Sequence, residues 1–160
     1  MSVTMKAPLE VGVCVTDLER AVGFYETVLG FTRISAATLS PERAEAVGFG
    51  PVAFRMARMQ TNYGERIKLI ETDPRPSSGR GDGPILGQAG ISYLTFVVAD
   101  IDAALRRLAE AGAELVTSGG AVQTRPGTRL AFFRDSEGNP LELVEYENLE
   151  AYRPDLARPT

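Results

Sequence analysis

The chain has 160 residues and a formal net charge of -4, and it contains one cysteine and no histidine. Its interspersed charges give no basis for binding nucleic acid or an anionic membrane surface, and no apolar run reaches the about 20 residues of a membrane helix. The lack of histidine removes the imidazole ligands of common zinc and iron sites. One cysteine permits no internal disulfide, and no leader peptide is recognisable. We therefore expect a single cytoplasmic domain spanning 1–160.

The first predicted element is a strand that runs into a helix. In VGVCVTDLERAV (11–22) apolar residues alternate up to Asp17 and then recur at helical spacing, which indicates a strand followed by an N-capped helix. The helix is expected to end at Gly30. A short helix follows in SPERAEAVGFG (40–50), either as a plain connection or as a lid over a ligand. Three strands are expected after the first helix, and the last two are VAFRM (52–56) and RIKLIE (66–71).

The same pattern recurs in the second half of the chain. In LTFVVADIDAAL (94–105), Asp100 occupies the position of Asp17, and the second helix is expected to end at Gly112. LAFFR (130–134) and PLELVE (140–145) resemble the two later segments of the first half. The sequence thus predicts two tandem βαβββ modules at 8–72 and 90–146, a linker rich in Pro and Gly at 73–89, and a tail at 147–160 that forms a short helix or an extended arm.

Two motifs, VTDLERAVGFYETVLGF and FFRDSEGNPLELVEY, resemble those of the vicinal oxygen chelate superfamily. This superfamily includes glyoxalase I, methylmalonyl-CoA epimerase, extradiol dioxygenases, fosfomycin-modifying enzymes and bleomycin-resistance proteins. The resemblance covers residues 8–146. It implies an α+β fold in which curved mixed sheets surround a cavity and helices pack on the convex faces. It also implies a homodimer, because the family commonly pairs modules across chains and open sheet edges favour a partner.

In metal-dependent members of the superfamily, the first and last strands of each module supply metal ligands. The resemblance places these four positions at Glu10, Lys68, Tyr93 and Glu142, and only Glu142 keeps the usual ligand type. The Lys68 ammonium has no lone pair to donate and would repel a divalent cation. We therefore expect neither a metal nor another cofactor. The alternative is an oxygen-only site for Mg²⁺ or Mn²⁺ formed by Glu10, Glu142 and the Tyr93 hydroxyl, with Lys68 turned away.

Strand alternation predicts which side chains face the cavity. The expected lining comprises Glu10, Cys14, Arg55, Lys68, Tyr93, Thr95 and Glu142. Two carboxylates and two cations would then converge, either as a working site or as a salt-bridge cluster that neutralises a former metal site. Because apolar residues would fill a disused cavity more stably than four desolvated charges, the pattern favours a working site.

These residues suggest proton transfer. Glu142 or Glu10 would abstract a proton next to a carbonyl, while Lys68, Arg55 or the Tyr93 hydroxyl stabilises the oxyanion. Arg55, Cys14 and Thr95 would bind the substrate. This predicts a metal-independent isomerase, lyase or cyclase acting on a small carbonyl- or carboxylate-bearing compound, in specialised metabolism.

The alternative is a non-catalytic protein that sequesters a drug-like natural product, as bleomycin-resistance proteins do without metal. Such a binder should line its cavity with aromatic and apolar groups, whereas an enzyme needs convergent ionisable groups. The absence of Trp and the four predicted cavity charges favour the enzyme.

Overall fold

The computed structural model describes residues 7–77, 83–87 and 89–156. These residues form eight strands and four helices: β1 (Glu10–Cys14), α1 (Leu18–Thr27), β2 (Thr32–Leu39), α2 (Pro41–Ala46), β3 (Ala53–Gln60), β4 (Arg66–Asp73), β5 (Leu94–Val97), α3 (Ile101–Glu110), β6 (Val122–Arg125), β7 (Thr128–Arg134), β8 (Pro140–Tyr146) and α4 (Leu149–Tyr152). They fall into two compact units, divided between residues 79 and 80. In the described part of the chain, no helix is both long and apolar enough to cross a membrane.

Each unit contains one four-stranded mixed sheet. The first has the order β1-β4-β3-β2, in which β1 runs parallel to β4 and the other pairs are antiparallel. The second repeats this arrangement as β5-β8-β7-β6, with β5 parallel to β8. The predicted α+β class and the two βαβββ modules are therefore confirmed, with the short helix α2 inserted between β2 and β3.

The main helix of each module begins and ends as the sequence predicts. The Asp17 carboxylate accepts a hydrogen bond from the Arg20 amide at 3.1 Å, and Asp100 does the same for Ala103 at 2.8 Å. These N-caps satisfy backbone donors that have no partner within the helix. Gly30 and Gly112 follow the helices with φ of 74° and 70°, a conformation that glycine adopts without a steric penalty.

One face of each sheet is buried by its helix or by neighbouring apolar side chains. In the first module, α1 packs on β3 and β4, and the buried residues of this face are Ala57, Met59, Ile67 and Leu69. In the second module α3 packs on β8, and the corresponding residues are Ala131, Phe133, Leu141 and Leu143. Full burial of one large aliphatic side chain stabilises a fold by about 1.5–3 kcal/mol, so these rows supply much of the folding free energy. We call this side of each sheet its helix face and the other side its open face.

Arg55 lies on the helix face, whereas the sequence predicted it on the same face as Lys68. Its partner across β3 and β4 is Glu71, whose carboxylate accepts a hydrogen bond from Arg55 Nε. The guanidinium also lies 3.8 Å from Glu19 on α1. Lys68 is three residues from Glu71 on the same strand, so the two side chains project from opposite faces.

The reason for this error is the position of Phe54. The alternation in VAFRM places Phe54 on the helix face, but its ring is buried on the open face. There it packs edge to face against Phe49, which follows α2, with ring centroids 5.8 Å apart. A contact from the segment after the inserted helix therefore buries an aromatic side chain on the side that periodicity assigns to a cavity.

The strand pairing also corrects the alignment of the modules. The last strands correspond as expected, because Lys68 and Glu142 occupy equivalent rows of the two sheets. The preceding strands correspond only after a shift of four residues, so that Ala57, not Ala53, matches Ala131. With this register Arg55 is equivalent to Arg129, which lies opposite Glu145 on the helix face of the second module.

Candidate functional site

The open face of the first module carries four charged side chains from three strands, which we call the Glu10 cluster: Glu10, Arg58, Arg66 and Lys68. One carboxylate oxygen of Glu10 accepts a hydrogen bond from Arg66 Nη1 at 3.2 Å. The other lies 3.4 Å from Arg58 Nε and 3.7 Å from Lys68 Nζ. The predicted proximity of Glu10 and Lys68 is therefore observed, and Arg58 occupies the place that was expected for Arg55.

The electrostatics of this cluster define the role of Glu10. The four side chains are 28% to 40% exposed, so solvent screens them only in part. Partial burial alone would raise the pKa of Glu10, but the hydrogen bond from Arg66 and the charges of Arg58 and Lys68 outweigh it and leave that pKa below its usual value. A carboxylate stabilised in its charged form is a weak base, so Glu10 acts here as a counter-ion.

Neighbouring polar residues fix the two guanidinium groups. Arg58 Nη1 donates to Ser35 Oγ at 3.0 Å, and Arg66 Nε donates to Gln60 Oε1 at 2.7 Å. The next row of the same face is largely apolar, with Cys14, Ile70, Met56 and Ala37 side by side on the four strands. Cys14, predicted to bind substrate, is exposed in this row. The open face of the first module thus joins a cationic row to an apolar one.

The open face of the second module carries the predicted pair Thr95 and Glu142. These residues are partners across β5 and β8, and Thr95 Oγ1 donates to Glu142 Oε2 at 2.6 Å. On the other side of Glu142 lies Phe132, its partner on β7. The ring of Tyr93 packs edge to face on Phe132, with centroids 5.0 Å apart. Tyr93, Thr95 and Glu142 are therefore brought together on one face, as predicted.

Further along β8, an aromatic pair covers the same face. Tyr146 is four residues beyond Glu142 and stacks on Tyr152 of α4, with ring centroids 3.8 Å apart. The Arg125 guanidinium lies 5.5 Å from the centre of the Tyr152 ring. Burial, the hydrogen bond with Tyr152 and the negative charge of Glu142 raise the pKa of Tyr146 to about 12. Tyr146 is therefore protonated throughout the physiological range.

Sequence reasoning missed Arg58, Arg66, Tyr146 and Tyr152. The sequence carried a signal for Arg66, because it lies two residues before Lys68 on the same strand. Arg58 is the cross-strand partner of Lys68, and this pairing is known only from the structure. Tyr152 had no such signal, since it lies in the tail outside both repeats.

The donor set of the Glu10 cluster does not fit a divalent cation. Lys68 Nζ, Arg58 and Arg66 place three positive charges around the one carboxylate at this position. The oxygen-only alternative required Lys68 to turn away from Glu10, but its ammonium points toward that carboxylate. A metal ion there would meet strong repulsion, whereas an anion would be attracted.

Comparison with known proteins identifies the family. Residues 8–143 match the model of the Glyoxalase/Bleomycin resistance protein/Dioxygenase superfamily. No curated protein matches the chain. A glyoxalase family protein from Bacillus cereus is 28% identical, with a TM-score of 0.78 and coverage of 92% of this chain and 99% of that one.

Two more distant structures share the fold. Leishmania major glyoxalase I, which is trypanothione-dependent, is 16% identical with a TM-score of 0.65 and coverage of 95% and 94% of the two chains. The fosfomycin resistance protein FosX from Listeria monocytogenes, complexed with Mn(II) and sulfate, is 14% identical with a TM-score of 0.59 and coverage of 93% and 99%. The repeated topology, the matched family model and these structures agree with the resemblance read from the sequence, and the chain belongs to the glyoxalase/bleomycin resistance protein/dioxygenase superfamily.

Proposed function

We propose that this protein is a metal-independent enzyme of the isomerase, lyase or cyclase type that acts on a small carbonyl- or carboxylate-bearing compound in specialised metabolism. The observation that carries the proposal is the hydrogen bond from Thr95 to Glu142 on the open face of the second module. It holds one oxygen of the carboxylate, and we assign the other to the substrate. Among the described residues, none forms a hydrogen bond with Glu142 Oε1.

Of the two predicted carboxylates, we assign the role of base to Glu142. Glu10 is surrounded by three cations that stabilise its ionised form. Glu142 instead lies between Thr95 and Phe132, and the next row of its face holds Val144. Within the described residues, Glu142 has no cationic partner that would have to be displaced when a substrate approaches its free oxygen.

The chemistry follows from this placement. Glu142 Oε1 would take a proton from the carbon next to the substrate carbonyl, and the electron pair would move to the carbonyl oxygen. The Tyr93 hydroxyl, near the same row, would donate a hydrogen bond to that oxygen. Return of the proton to another carbon gives an isomerase, and departure of a leaving group gives a lyase.

Solvent deuterium exchange tests the proposal without knowledge of the product. The protein would be incubated in D₂O with a panel of small 2-oxo acids and 3-oxo acids, and exchange next to the carbonyl would be followed by NMR. We expect Glu142→Gln to lower the exchange rate about 10²- to 10⁴-fold, the usual contribution of a general base. The melting temperature should change little, because the amide is nearly isosteric.

Two further variants make this test specific. Glu150→Gln removes a carboxylate from α4 and should leave exchange unchanged. Thr95→Val should slow exchange while Thr95→Ser retains it, because only serine keeps the hydroxyl donor. Exchange that is equally fast in Glu142→Gln and the wild type would contradict the proposed role of Glu142.

A binding protein that sequesters a drug-like natural product is the second candidate. The observation that favours it is the aromatic surface of the second module, where Tyr93 packs on Phe132 and Tyr146 stacks on Tyr152. In that case a ligand would be recovered unchanged, Phe132→Ala would weaken its binding, and Glu142→Gln would not. The deuterium experiment separates this candidate from the enzyme.

The proposal includes a cytoplasmic homodimer. Its structural support is a set of exposed apolar side chains in the first module, among them Phe49 at 60% and Tyr63 at 80% exposure, which a partner would cover. Light scattering over a wide concentration range would show twice the chain mass if the dimer forms.

A further inference from the structure

We propose that Arg58, Arg66 and Lys68 of the first module bind the anionic head of a small ligand, a carboxylate or phosphate group, and that the adjacent apolar row of the same sheet holds its apolar body. The inference goes beyond the proposed function, because it concerns the open face of the first module alone. It can be tested by binding measurements.

The first argument is charge. The whole chain has a net charge of -4, yet three cations on this face share one carboxylate. The Glu10 cluster therefore keeps two positive charges that no group in it balances. Since the side chains are partly desolvated, an incoming anion is attracted more strongly than it would be at a fully exposed site.

The second argument is the number of donors that remain available. Within the described residues, Arg58 Nη2 and Arg66 Nη2 form no hydrogen bond, and Lys68 Nζ forms only the ion pair with Glu10 at 3.7 Å. Unsatisfied donors of partly buried cations favour an added acceptor. Two guanidinium forks beside an ammonium suit the paired oxygens of a carboxylate or phosphate.

The third argument is rigidity. Ser35 holds Arg58 from β2, and Gln60 holds Arg66 from β3. Long cationic side chains usually lose considerable rotamer freedom when they bind a ligand. Because these two are already fixed, less entropy is lost on binding, and the site differs in this respect from scattered surface cations.

The fourth argument concerns the rest of the ligand. Next to Lys68, the first strand carries Gly12, which adds no side chain beside the cluster. The following row presents Ile70 and Met56, both partly exposed. A small acid with its head on the Glu10 cluster would lay its apolar body along this row, which favours amphiphilic acids over fully polar ones.

The test uses inorganic phosphate, acetate and hexanoate as probes, with binding to the full chain followed by NMR at constant low ionic strength. We expect Lys68→Met to weaken binding about tenfold and Arg43→Gln, which removes a charge from exposed α2, to leave it unchanged. Glu10→Gln should tighten binding, because it removes the competing carboxylate. Circular dichroism melting of each variant verifies that it is folded.

Each result has a defined meaning. Tighter binding of hexanoate than acetate supports the apolar row, and equal affinity overturns that part. Stronger binding of phosphate than of acetate would identify a phosphate head, and the reverse would identify a carboxylate head.

Equal weakening by Lys68→Met and Arg43→Gln, or no binding of any probe, overturns the site. If the cluster binds anions but deuterium exchange does not depend on Glu142, only the proposed function is refuted. If exchange depends on Glu142 but the cluster binds no anion, only this inference is refuted.

Discussion

The two modules have similar helix faces and differently charged open faces. On the helix side, Arg55 lies opposite Glu71 in the first module, and Arg129 lies opposite Glu145 in the second. Arg55 also approaches Glu19 of α1 at 3.8 Å, while Arg129 forms a two-pronged hydrogen bond with Asp102 of α3 at 2.8 and 2.9 Å. The same architecture, an arginine joining the last strand to the helix, is thus present twice.

The open faces differ at equivalent positions. The row Gly12, Lys68, Arg58 of the first module corresponds to the row Thr95, Glu142, Phe132 of the second. A cation has thus been exchanged for a carboxylate without any change in strand order. Packing against a helix restricts which residues are tolerated, whereas an open face can acquire either charge. The comparison shows that one scaffold carries a cationic row in the first module and a carboxylate beside an aromatic ring in the second.

The largest expected effect is a loss of stability when the core of either helix face is disrupted. Leu69 and Leu143 occupy equivalent positions and are 0% and 2% exposed. We expect Leu69→Ala and Leu143→Ala each to lower the free energy of unfolding by about 2–5 kcal/mol, because each leaves a cavity in a packed core. Chemical denaturation followed by circular dichroism measures the loss. Leu86→Ala, at a site 76% exposed, is the control and should cost little. A large loss in only one module would show that the helix faces are not equivalent.

A smaller effect is expected at the two helix N-caps. Asp17→Ala and Asp100→Ala should each lower stability by about 1 kcal/mol, since each removes the acceptor for a backbone amide of the first turn. Asparagine at either position keeps a side-chain oxygen and should restore most of the loss. Thermal melting of the four variants checks this. If alanine and asparagine were equally destabilising, charge and not capping would be the source of the effect.

The smallest effect, and the one most specific to the open face, is a pKa shift. Lys68→Met should raise the pKa of Glu10 toward its ordinary value, because one of the cations that stabilise the carboxylate is removed. A lowered pKa in the folded state stabilises the protein above the ordinary pKa of the group, and this stability is lost as pH falls through the folded value. The variant should therefore lose less stability on acidification than the wild type.

Side-chain carboxyl NMR measures this shift directly. Asp102, whose pKa is lowered by its hydrogen bond with Arg129, lies on the helix face of the other module and is the internal control. Its titration should be unchanged in Lys68→Met. An unchanged titration of Glu10 in this variant would mean that Arg58 and Arg66 alone set its charge state.

Much of the fold could be predicted because it depends on local patterns. The change of period at Asp17 and Asp100 identified both strand-to-helix transitions, and the recurrence of the pattern identified the two modules. In the second module, counting alternate residues also placed Thr95 and Glu142 correctly on one face, since no inserted element disturbs that part of the sheet.

The candidate site of the first module could be predicted only in part. Glu10 and Lys68 were found, but Arg55 was placed on the wrong face because Phe49 buries Phe54 on the open side. This contact depends on how α2 packs, which periodicity does not encode. Tyr152 was missed for a similar reason, since a tail of four helical residues carries no signal for the strand it covers.

The parallel pairing of first and last strands has a consequence for biosynthesis. The hydrogen bond between Glu10 and Arg66 joins residues 56 positions apart in the sequence, and the one between Thr95 and Glu142 joins residues 47 positions apart. No sheet can therefore close until its final strand has been synthesised, and such long loop closures slow folding. Because each module is contiguous in sequence, the first can complete its sheet while the ribosome is still producing the second. We expect a chain that stalls before residue 66 to leave β1 without its neighbour, and a chain released after the first module to hold a complete sheet.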